Sequence, residues 1–221
     1  MATFLLTLSA IFWIITYLEA IRIGFTQKTY AMPLFALALN FAWEVVDSVL
    51  GHAAFGFSMQ VKYNIIGAIL DAFIVYTFFK YGYKYFAHNL SKKIFYLWSV
   101  FIFGISFPIQ WAFIVQFGIV LGPLYAAFIQ NLMMSILFIN MFYQRRGAEG
   151  QSLIIAVCKW IGTLVVTIQF YFNRNIFLVG ALGGLIAVID IIYIILLYQA
   201  RRGKTIFTDN IQSAEPLVSG N

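Results

Sequence analysis

The sequence contains few of the residues on which disulfides, metal sites and soluble surfaces depend. Its 221 residues include one cysteine, two histidines and four prolines, and only 10% of them are charged. The single cysteine, Cys158, excludes an intrachain disulfide and a zinc site of the finger type. We therefore expect no metal centre, and no cofactor is predicted.

Apolar residues take the place of the missing charge. They form 62% of the chain, which includes 24 Phe, 13 Tyr and 5 Trp, and the mean hydropathy is +0.89. Such a composition is typical of one integral membrane domain. The net charge of +6 comes from basic residues between apolar runs. Basic residues in such positions orient a protein in the membrane and contact anionic lipid headgroups, so they do not indicate binding of nucleic acid. The expected partner surface is the lipid bilayer.

Seven apolar segments of about 20 residues each predict an all-α, polytopic bundle of seven transmembrane helices. The segments are Thr3–Ile21, Tyr30–Leu50, Tyr63–Phe79, Ile94–Val115, Ile119–Phe142, Ser152–Phe172 and Ile176–Ala200. Only Gln116–Gly118 separates the fourth from the fifth, so six spans with one broken helix are the alternative. The transmembrane domain covers residues 1–200, and residues 201–221 are expected to form a polar tail.

The basic residues fall mostly at one end of these helices. With seven spans, eleven of them share the side of the C-terminus, whereas only Lys62 and Arg174 lie on the other side. The positive-inside rule then places the N-terminus outside and the C-terminus in the cytoplasm. Met1-Ala2-Thr3 lacks the basic region of a signal peptide, so the first helix is expected to remain as an anchor.

Two carboxylates inside the second predicted helix are the strongest functional signal. Asn40, Glu44 and Asp47 follow the spacing i, i+4 and i+7, which is one face of a helix. A charge near the bilayer centre costs at least about 2.5–3.5 kcal/mol on insertion scales. We therefore expect this face to point into the protein or into a polar cavity, with Glu44 in a functional role.

Three further ionisable residues, Asp71, Lys159 and Asp190, lie within other predicted helices. At a rise of about 1.5 Å per residue, they fall about 10–15 Å from the cytoplasmic ends of their helices. Together with Glu44 they come from four predicted helices, which are expected to surround one internal cavity. The alternative is structural, with Lys159 neutralising Asp190 or Asp71. Asp71 could equally be a hydrogen bonder in helix packing, and Asp47 could be solvated.

Aromatic side chains are the expected lining of such a cavity. Trp43, Trp111, Trp160 and Tyr193 are the candidates for contact with a substrate or a cation. Cation–π attraction contributes about 0.5–2 kcal/mol per ring. Packing and interfacial belts are the other common use of aromatic residues in membrane proteins.

Several motifs resemble one known family. Asn40-Phe41-Ala42-Trp43-Glu44 resembles the second helix of the membrane-integral terpene cyclases of fungal meroterpenoid and indole-diterpene pathways, which have small bacterial relatives. The similarity extends to Gly122-Pro123, to Val157–Gly162 and to Val188–Tyr193, and so covers nearly the whole chain. The short N-terminus favours a bacterial relative, and hence the bacterial cell membrane over the endoplasmic reticulum.

The resemblance implies that Glu44 and Asp190 are the catalytic acids. Asn40, Asp47, Asp71 and Lys159 are the candidates for supporting residues. Lys159 stands where that family often has arginine, which keeps the charge but loses the bidentate fork. The chain also lacks the magnesium-binding Asp-Asp-x-x-Asp and the Asp-x-Asp-Asp of soluble terpene cyclases.

The implied activity is a metal-independent terpene cyclisation started by protonation. Glu44 would protonate an epoxide or terminal alkene of a linear prenylated or epoxidised terpenoid. Asp190 would hold or share that proton, and water, Asp190 or Asp71 would remove the last one. The protein would guide the carbocation in a dry pocket.

A small transporter or a proton-coupled carrier of a hydrophobic solute is the alternative function. It would carry paired broken helices or a repeated half, and the sequence has a single Gly-Pro interruption. A retinal photoreceptor needs a lysine in the last helix, where this chain has none.

Overall fold

The computed structural model describes residues 2–86 and 90–203, and these ranges contain helices and no β-strand. Six long helices follow one another: α1 (Ala2–Thr26), α2 (Leu34–Phe55), α3 (Met59–Tyr81), α4 (Lys92–Gln144), α5 (Leu153–Arg174) and α6 (Phe177–Arg201). All six are long and apolar enough to cross a membrane. The predicted all-α class is confirmed. Of the predicted polar tail, residues 204–221 lie outside the described residues.

Helix α4 has 53 residues, but it does not run straight. Gly118 has a φ of 77° and a ψ of 167°, outside the helical region, a conformation that glycine adopts at little cost. The break leaves two arms, residues 92–117 and 119–144. The side chain of Gln110 donates to Oε1 of Gln130 at 2.7 Å, whereas twenty residues of straight helix would separate them by about 30 Å. The second arm therefore folds back along the first.

Glycine also permits the two arms to approach each other. A Cβ at Gly122 would lie 2.7 Å from the Cα of Ile114 in the first arm, closer than atoms can pack. Seven separate segments are predicted, whereas the described residues form six long helices, of which the fourth is interrupted. The interruption falls within the predicted boundary Gln116–Gly118.

Serine residues begin three of the helices. The hydroxyls of Ser58, Ser91 and Ser152 accept hydrogen bonds from backbone N–H groups in the first turns of α3, α4 and α5. These bonds satisfy donors that otherwise have no partner at a helix start. Asn175, in the left-handed conformation, ends α5.

The helices pack with their main apolar core at one end of the bundle. Helix α1 packs against α3 and α5, α2 against α3 and α4, and α6 against α4 and α5. The main core joins the end of α1, the start of α2, the ends of α3, α4 and α6, and the start of α5, through residues such as Ile23, Leu37, Ile74, Phe138 and Leu197. All these segments lie at the end of the bundle that carries most basic residues.

Candidate active site

The other half of the bundle contains a cavity of about 610 Å³. Its lining comes from residues 6–17 of α1, 40–55 of α2, Ser58 and the start of α3 as far as Gly67, 119–134 of the second arm of α4 and 163–170 of α5. A volume of this size is within the range of small-molecule sites, about 300–1,000 Å³. The cavity reaches from the middle of the bundle towards the end where α2 turns into α3.

Aromatic rings form much of the cavity wall. Trp13, Tyr17, Trp43, Tyr63 and Phe128 all line it. The indole N–H of Trp43 donates to the carbonyl of Pro123 at 2.8 Å, which fixes that ring between α2 and the second arm of α4. A wall of this kind offers ring faces to a developing cation and excludes water.

Glu44 is the deeper of two carboxylates in the cavity. It lies near the midpoint of α2 and is 6% exposed. Its Oε1 accepts a hydrogen bond from the Tyr17 hydroxyl at 3.0 Å, and its Oε2 has no protein partner. A Cβ at Gly67 would lie 2.7 Å from that Oε2. Glycine at this position of α3 therefore leaves the space that the carboxyl group occupies.

The direction of the Tyr17 hydrogen bond follows from its neighbours. Asn40 Nδ2 donates to the Tyr17 hydroxyl oxygen at 2.8 Å and to Asp71 Oδ2 at 2.7 Å. Because an amide nitrogen can only donate, the Tyr17 oxygen accepts from Asn40 and directs its own hydrogen to Glu44. Oε1 is thus an acceptor, and a neutral Glu44 holds its proton on Oε2.

Asp71 takes part in this network from outside the cavity. Its side chain is completely buried and does not line the cavity wall. One oxygen accepts from Asn40, and the other has no protein partner. Asp71 therefore acts on Glu44 by holding the Asn40 amide in its donating orientation.

Asp47 is the second carboxylate of the cavity, one helical turn beyond Glu44. It is 7% exposed and lines the wall. Asn64 Nδ2 donates to Asp47 Oδ2, and Asn64 Oδ1 in turn accepts from Gln60 Nε2 at 2.8 Å. Glu44 and Asp47 are the only acidic residues among those that line the cavity.

Asp190 lies in a different environment. Lys159 Nζ donates to Asp190 Oδ1 at 2.9 Å, to Asp190 Oδ2 at 2.8 Å and to Ser135 Oγ at 2.7 Å. The three N–H groups of the lysine are all used, and the two charged side chains are 0% and 1% exposed. The predicted neutralisation of Lys159 by Asp190 is confirmed.

The ion pair does not line the cavity. The prediction of one cavity shared by Glu44, Asp71, Lys159 and Asp190 is therefore wrong: of the four, only Glu44 lines it. The physical reason is that Lys159, Asp190 and Ser135 use their polar groups to bond to one another between α5, α6 and the second arm of α4. No contact of the described residues brings Asp190 to Glu44.

Of the four rings expected to line the cavity, only Trp43 does so. Trp111 is 58% exposed on the outer surface, where a lipid-facing ring is favourable. Tyr193 is fully buried elsewhere, with its hydroxyl bonded to Gln151 Oε1 at 2.8 Å. Trp160 is also absent from the wall. These three expectations are wrong because an aromatic residue gives no signal of the direction in which it points.

Sequence reasoning missed Tyr17 as a hydrogen-bond donor and Gly67 as the space for Glu44. A signal for α3 was present, since Asn64, Gly67 and Asp71 follow the spacing i, i+3 and i+7, one face of a helix. That face meets Asn40, Glu44 and Asp47 of α2. Among the described residues, no group of three or more His, Cys, Asp or Glu could hold a metal ion.

Comparison with known proteins identifies the family. Residues 1–203 match the Pyr4-like transmembrane terpene cyclases. The chain belongs to this family. With its six apolar helices, membership makes it a multi-pass membrane protein, and it confirms the resemblance seen in the Asn40–Glu44 motif.

Individual relatives are fungal proteins at low identity. The chain is 26% identical over 169 residues to the Pyr4-family terpene cyclase mfmH of Annulohypoxylon moriforme, covering 75% of this chain and 68% of that protein. It is 25% identical over 161 residues to terpene cyclase dpchB of Colletotrichum higginsianum, covering 71% and 64%.

A longer match is with terpene cyclase cdmG of Talaromyces verruculosus, 25% identical over 210 residues, covering 86% of this chain and 83% of that protein. The chain spans about two thirds of the length of the first two relatives, 68% and 64%. No solved structure matches it significantly.

Proposed function

We propose that this protein is a terpene cyclase that folds a linear prenyl substrate inside the cavity and starts its cyclisation with a proton from Glu44. The observation that carries the proposal is the geometry of Glu44. Its carboxyl group is buried in an aromatic-lined cavity, Tyr17 occupies Oε1, and Oε2 has no protein partner. Family membership supports the reaction class.

The first chemical step is proton transfer from Glu44 to the oxygen of a terminal epoxide or to a terminal alkene. Because Oε2 is buried against Gly67, the carboxyl group turns to bring its proton into the cavity. Protonation breaks the C–O bond of the epoxide, or the π bond of the alkene, and leaves a carbocation that the next double bond attacks. Trp13, Tyr17 and Trp43 offer ring faces to the positive charge. The cavity wall holds the polyene folded and limits attack by water. No metal ion takes part in this step.

For Asp190, the contacts support an indirect role in place of the direct role that the family resemblance implies. Its carboxylate neutralises Lys159 in the packing between α5, α6 and the second arm of α4. Ser135 accepts from the same lysine and lies one turn from Asn131, which lines the cavity. Asp190 thus supports the wall of the cavity rather than the proton on Glu44.

We further propose that the chain crosses the membrane seven times, with the N-terminus outside and the C-terminus in the cytoplasm. Support comes from the fold-back at Gly118, which divides α4 into two arms. Each arm has 26 residues and a length of about 39 Å, which is enough to span a bilayer. The basic residues at one end of the bundle support the orientation. In this topology the cavity lies in the outer half of the membrane.

The carrier alternative is less consistent with the bundle. A carrier needs access from both membrane surfaces, usually through paired interrupted helices. In the described part of the chain, Gly118 is the one interruption inside a long helix, so these residues do not provide the second interruption of such a pair.

The test is conversion of defined substrates by purified protein in detergent or liposomes. The panel contains terminally epoxidised prenyl compounds of several chain lengths and their unepoxidised counterparts, with products identified by mass spectrometry. Glu44→Gln keeps size and hydrogen bonding but has no transferable proton, so we expect a loss of about 10²–10⁴-fold in substrate consumption. Turnover of the Glu44→Gln protein within a few-fold of the parent would refute the proposal.

A further inference from the structure

A cyclisation that begins when the substrate gains a proton usually ends when the last carbocation loses one. When the last carbocation loses a neighbouring proton, the C–H bond breaks, its electron pair forms a C=C bond, and the charge disappears. The overall reaction is then an isomerisation that consumes no proton. Glu44 has meanwhile become a carboxylate, so the protein needs a group that accepts the final proton and a route that returns it to Glu44.

The cavity offers one carboxylate for the acceptor. Asp71 does not line it and Asp190 is bonded through both oxygens to Lys159. Asp47 lines the wall, and Asn64 bonds only its Oδ2. A Cβ at Gly51 would lie 3.6 Å from Asp47 Oδ1, so glycine one turn further along α2 leaves room beside that oxygen.

The surroundings of Asp47 are arranged for an acceptor. Gln60 Nε2 donates to Asn64 Oδ1, which fixes the Asn64 amide with its N–H groups towards Asp47. A donor held in this way stabilises the ionised carboxylate. Asp47 therefore accepts an oriented hydrogen bond from Asn64. Glu44, in the same cavity, has one oxygen without a protein partner.

The spacing of the two residues provides the return route. Positions three apart on a helix have Cβ atoms about 5–6 Å from each other, a distance that two carboxyl groups or one water can bridge. We propose that Asp47 is the base that removes the final proton and that this proton passes from Asp47 to Glu44 before the next turnover. This assignment rests on the proposed function.

One consequence concerns the shape of the bound substrate. Acid and base lie on the same face of α2, so the protonated end of the chain and the last cation must both come to that face. The prenyl chain must therefore fold back on itself inside the cavity before it reacts. Polycyclisation requires the same compact folding of the substrate.

The decisive variant is Asp47→Asn, which keeps the size of the side chain and an oxygen for Asn64 to bond. With the same substrate panel, we expect it to fold and to consume substrate, because Glu44 is intact and the water that captures the cation releases a proton that returns to Glu44. The parent alkene product should fall by about 10²-fold or more. Products in which water has captured the cation, heavier by one water, should replace it.

Ser48→Ala is the matched control, since Ser48 is the next residue of α2 and does not line the cavity. It should leave the products unchanged. Asp47→Glu keeps a carboxylate and should restore most of the alkene product, which also tests the assignment if the asparagine variant does not fold.

Three results would overturn the assignment: unchanged products from Asp47→Asn, a folded Asp47→Asn that consumes no substrate, or water-capture products from Asp47→Glu. Failure of the proposed function is a separate result, because it requires turnover by Glu44→Gln.

Discussion

At the scale of single residues, the orientation of one amide determines where Glu44 holds its proton. Asp71 accepts from Asn40, Asn40 donates to Tyr17, and Tyr17 donates to Glu44 Oε1. Each hydrogen bond in this series fixes the direction in which the next group donates. The proton is thereby kept on Oε2 without direct contact between Asp71 and Glu44.

Tyr17→Phe tests this chain of bonds. The change keeps the ring in the cavity wall but removes the donor to Oε1, so the Glu44 proton can occupy either oxygen. We expect kcat to fall about ten-fold, less than the roughly 10²–10⁴-fold that a general acid contributes, because the proton donor itself remains, with little change in KM. Steady-state kinetics on the best substrate of the panel measures the two constants separately.

Tyr193→Phe is the matched control, because it also removes one buried hydroxyl, which donates to Gln151 Oε1. It should cost about 1–3 kcal/mol of stability with little effect on kcat. Equal losses of kcat in the two variants would indicate that Tyr17 acts only through stability.

The sequence predicted the α2 part of the site better than the rest. Asn40, Glu44 and Asp47 share a face because the helical period alone fixes their relative positions. The donor role of Tyr17 could not be predicted, since it depends on which face of α1 meets α2. The same limit applies in part to Asp190. Lys159 was predicted to neutralise Asp190 or Asp71, and the packing of α5 against α6 determines that the partner is Asp190.

At the scale of elements, one buried ion pair joins three helical segments. Lys159 of α5 meets Asp190 of α6 and Ser135 of the second arm. A buried pair is costly to break, about 3–5 kcal/mol when one partner is removed, yet its replacement by apolar residues is often neutral. The pair can therefore be removed as a unit.

A double-variant cycle separates this structural role from chemistry. Asp190→Leu should lower the stability by about 3–5 kcal/mol because it leaves the Lys159 charge alone. The pair Lys159→Met with Asp190→Leu should recover most of that loss and cyclise substrate within a few-fold of the parent. Thermal unfolding in detergent and product formation are the measurements. A double variant that is as stable as the parent but inactive would give Asp190 a direct chemical role.

The helices themselves were largely predictable from apolar length, since membrane thickness sets the span. The start of α2 shifted from Tyr30 to Leu34 because Pro33 precedes it and residues 29–33 form a non-helical turn. The boundary at Gly118 followed from a short polar and glycine interruption. What the sequence left open was whether that interruption bends or reverses the chain, which depends on the contact between Gln110 and Gln130.

At the scale of the whole molecule, the two ends of the bundle differ. At the basic end, the Arg145 guanidinium lies 4.2 Å from the Tyr30 ring centre and 4.1 Å from that of Tyr85. The Tyr85 hydroxyl bonds to Glu149, and this bond, with the nearby charge of Lys84, holds the pKa of Glu149 below its usual range. These contacts tie the loop after α4 to the loop after α1 and to the segment after α3. The cavity lies at the opposite end.

This asymmetry predicts that substrate enters from the outer half of the membrane, provided that the chain crosses seven times. Reporter fusions distinguish the topologies. Fusions after Phe57 and after Gly118 should read external, because both positions lie at the cavity end, whereas fusions after Gln151 and Ala200 should read cytoplasmic. The fusion after Gly118 is decisive, since a single crossing by α4 would bury it in the membrane and place Gln151 outside. An external reading after Gln151 or Ala200 would refute the seven-span arrangement, and with it the position of the cavity in the outer half.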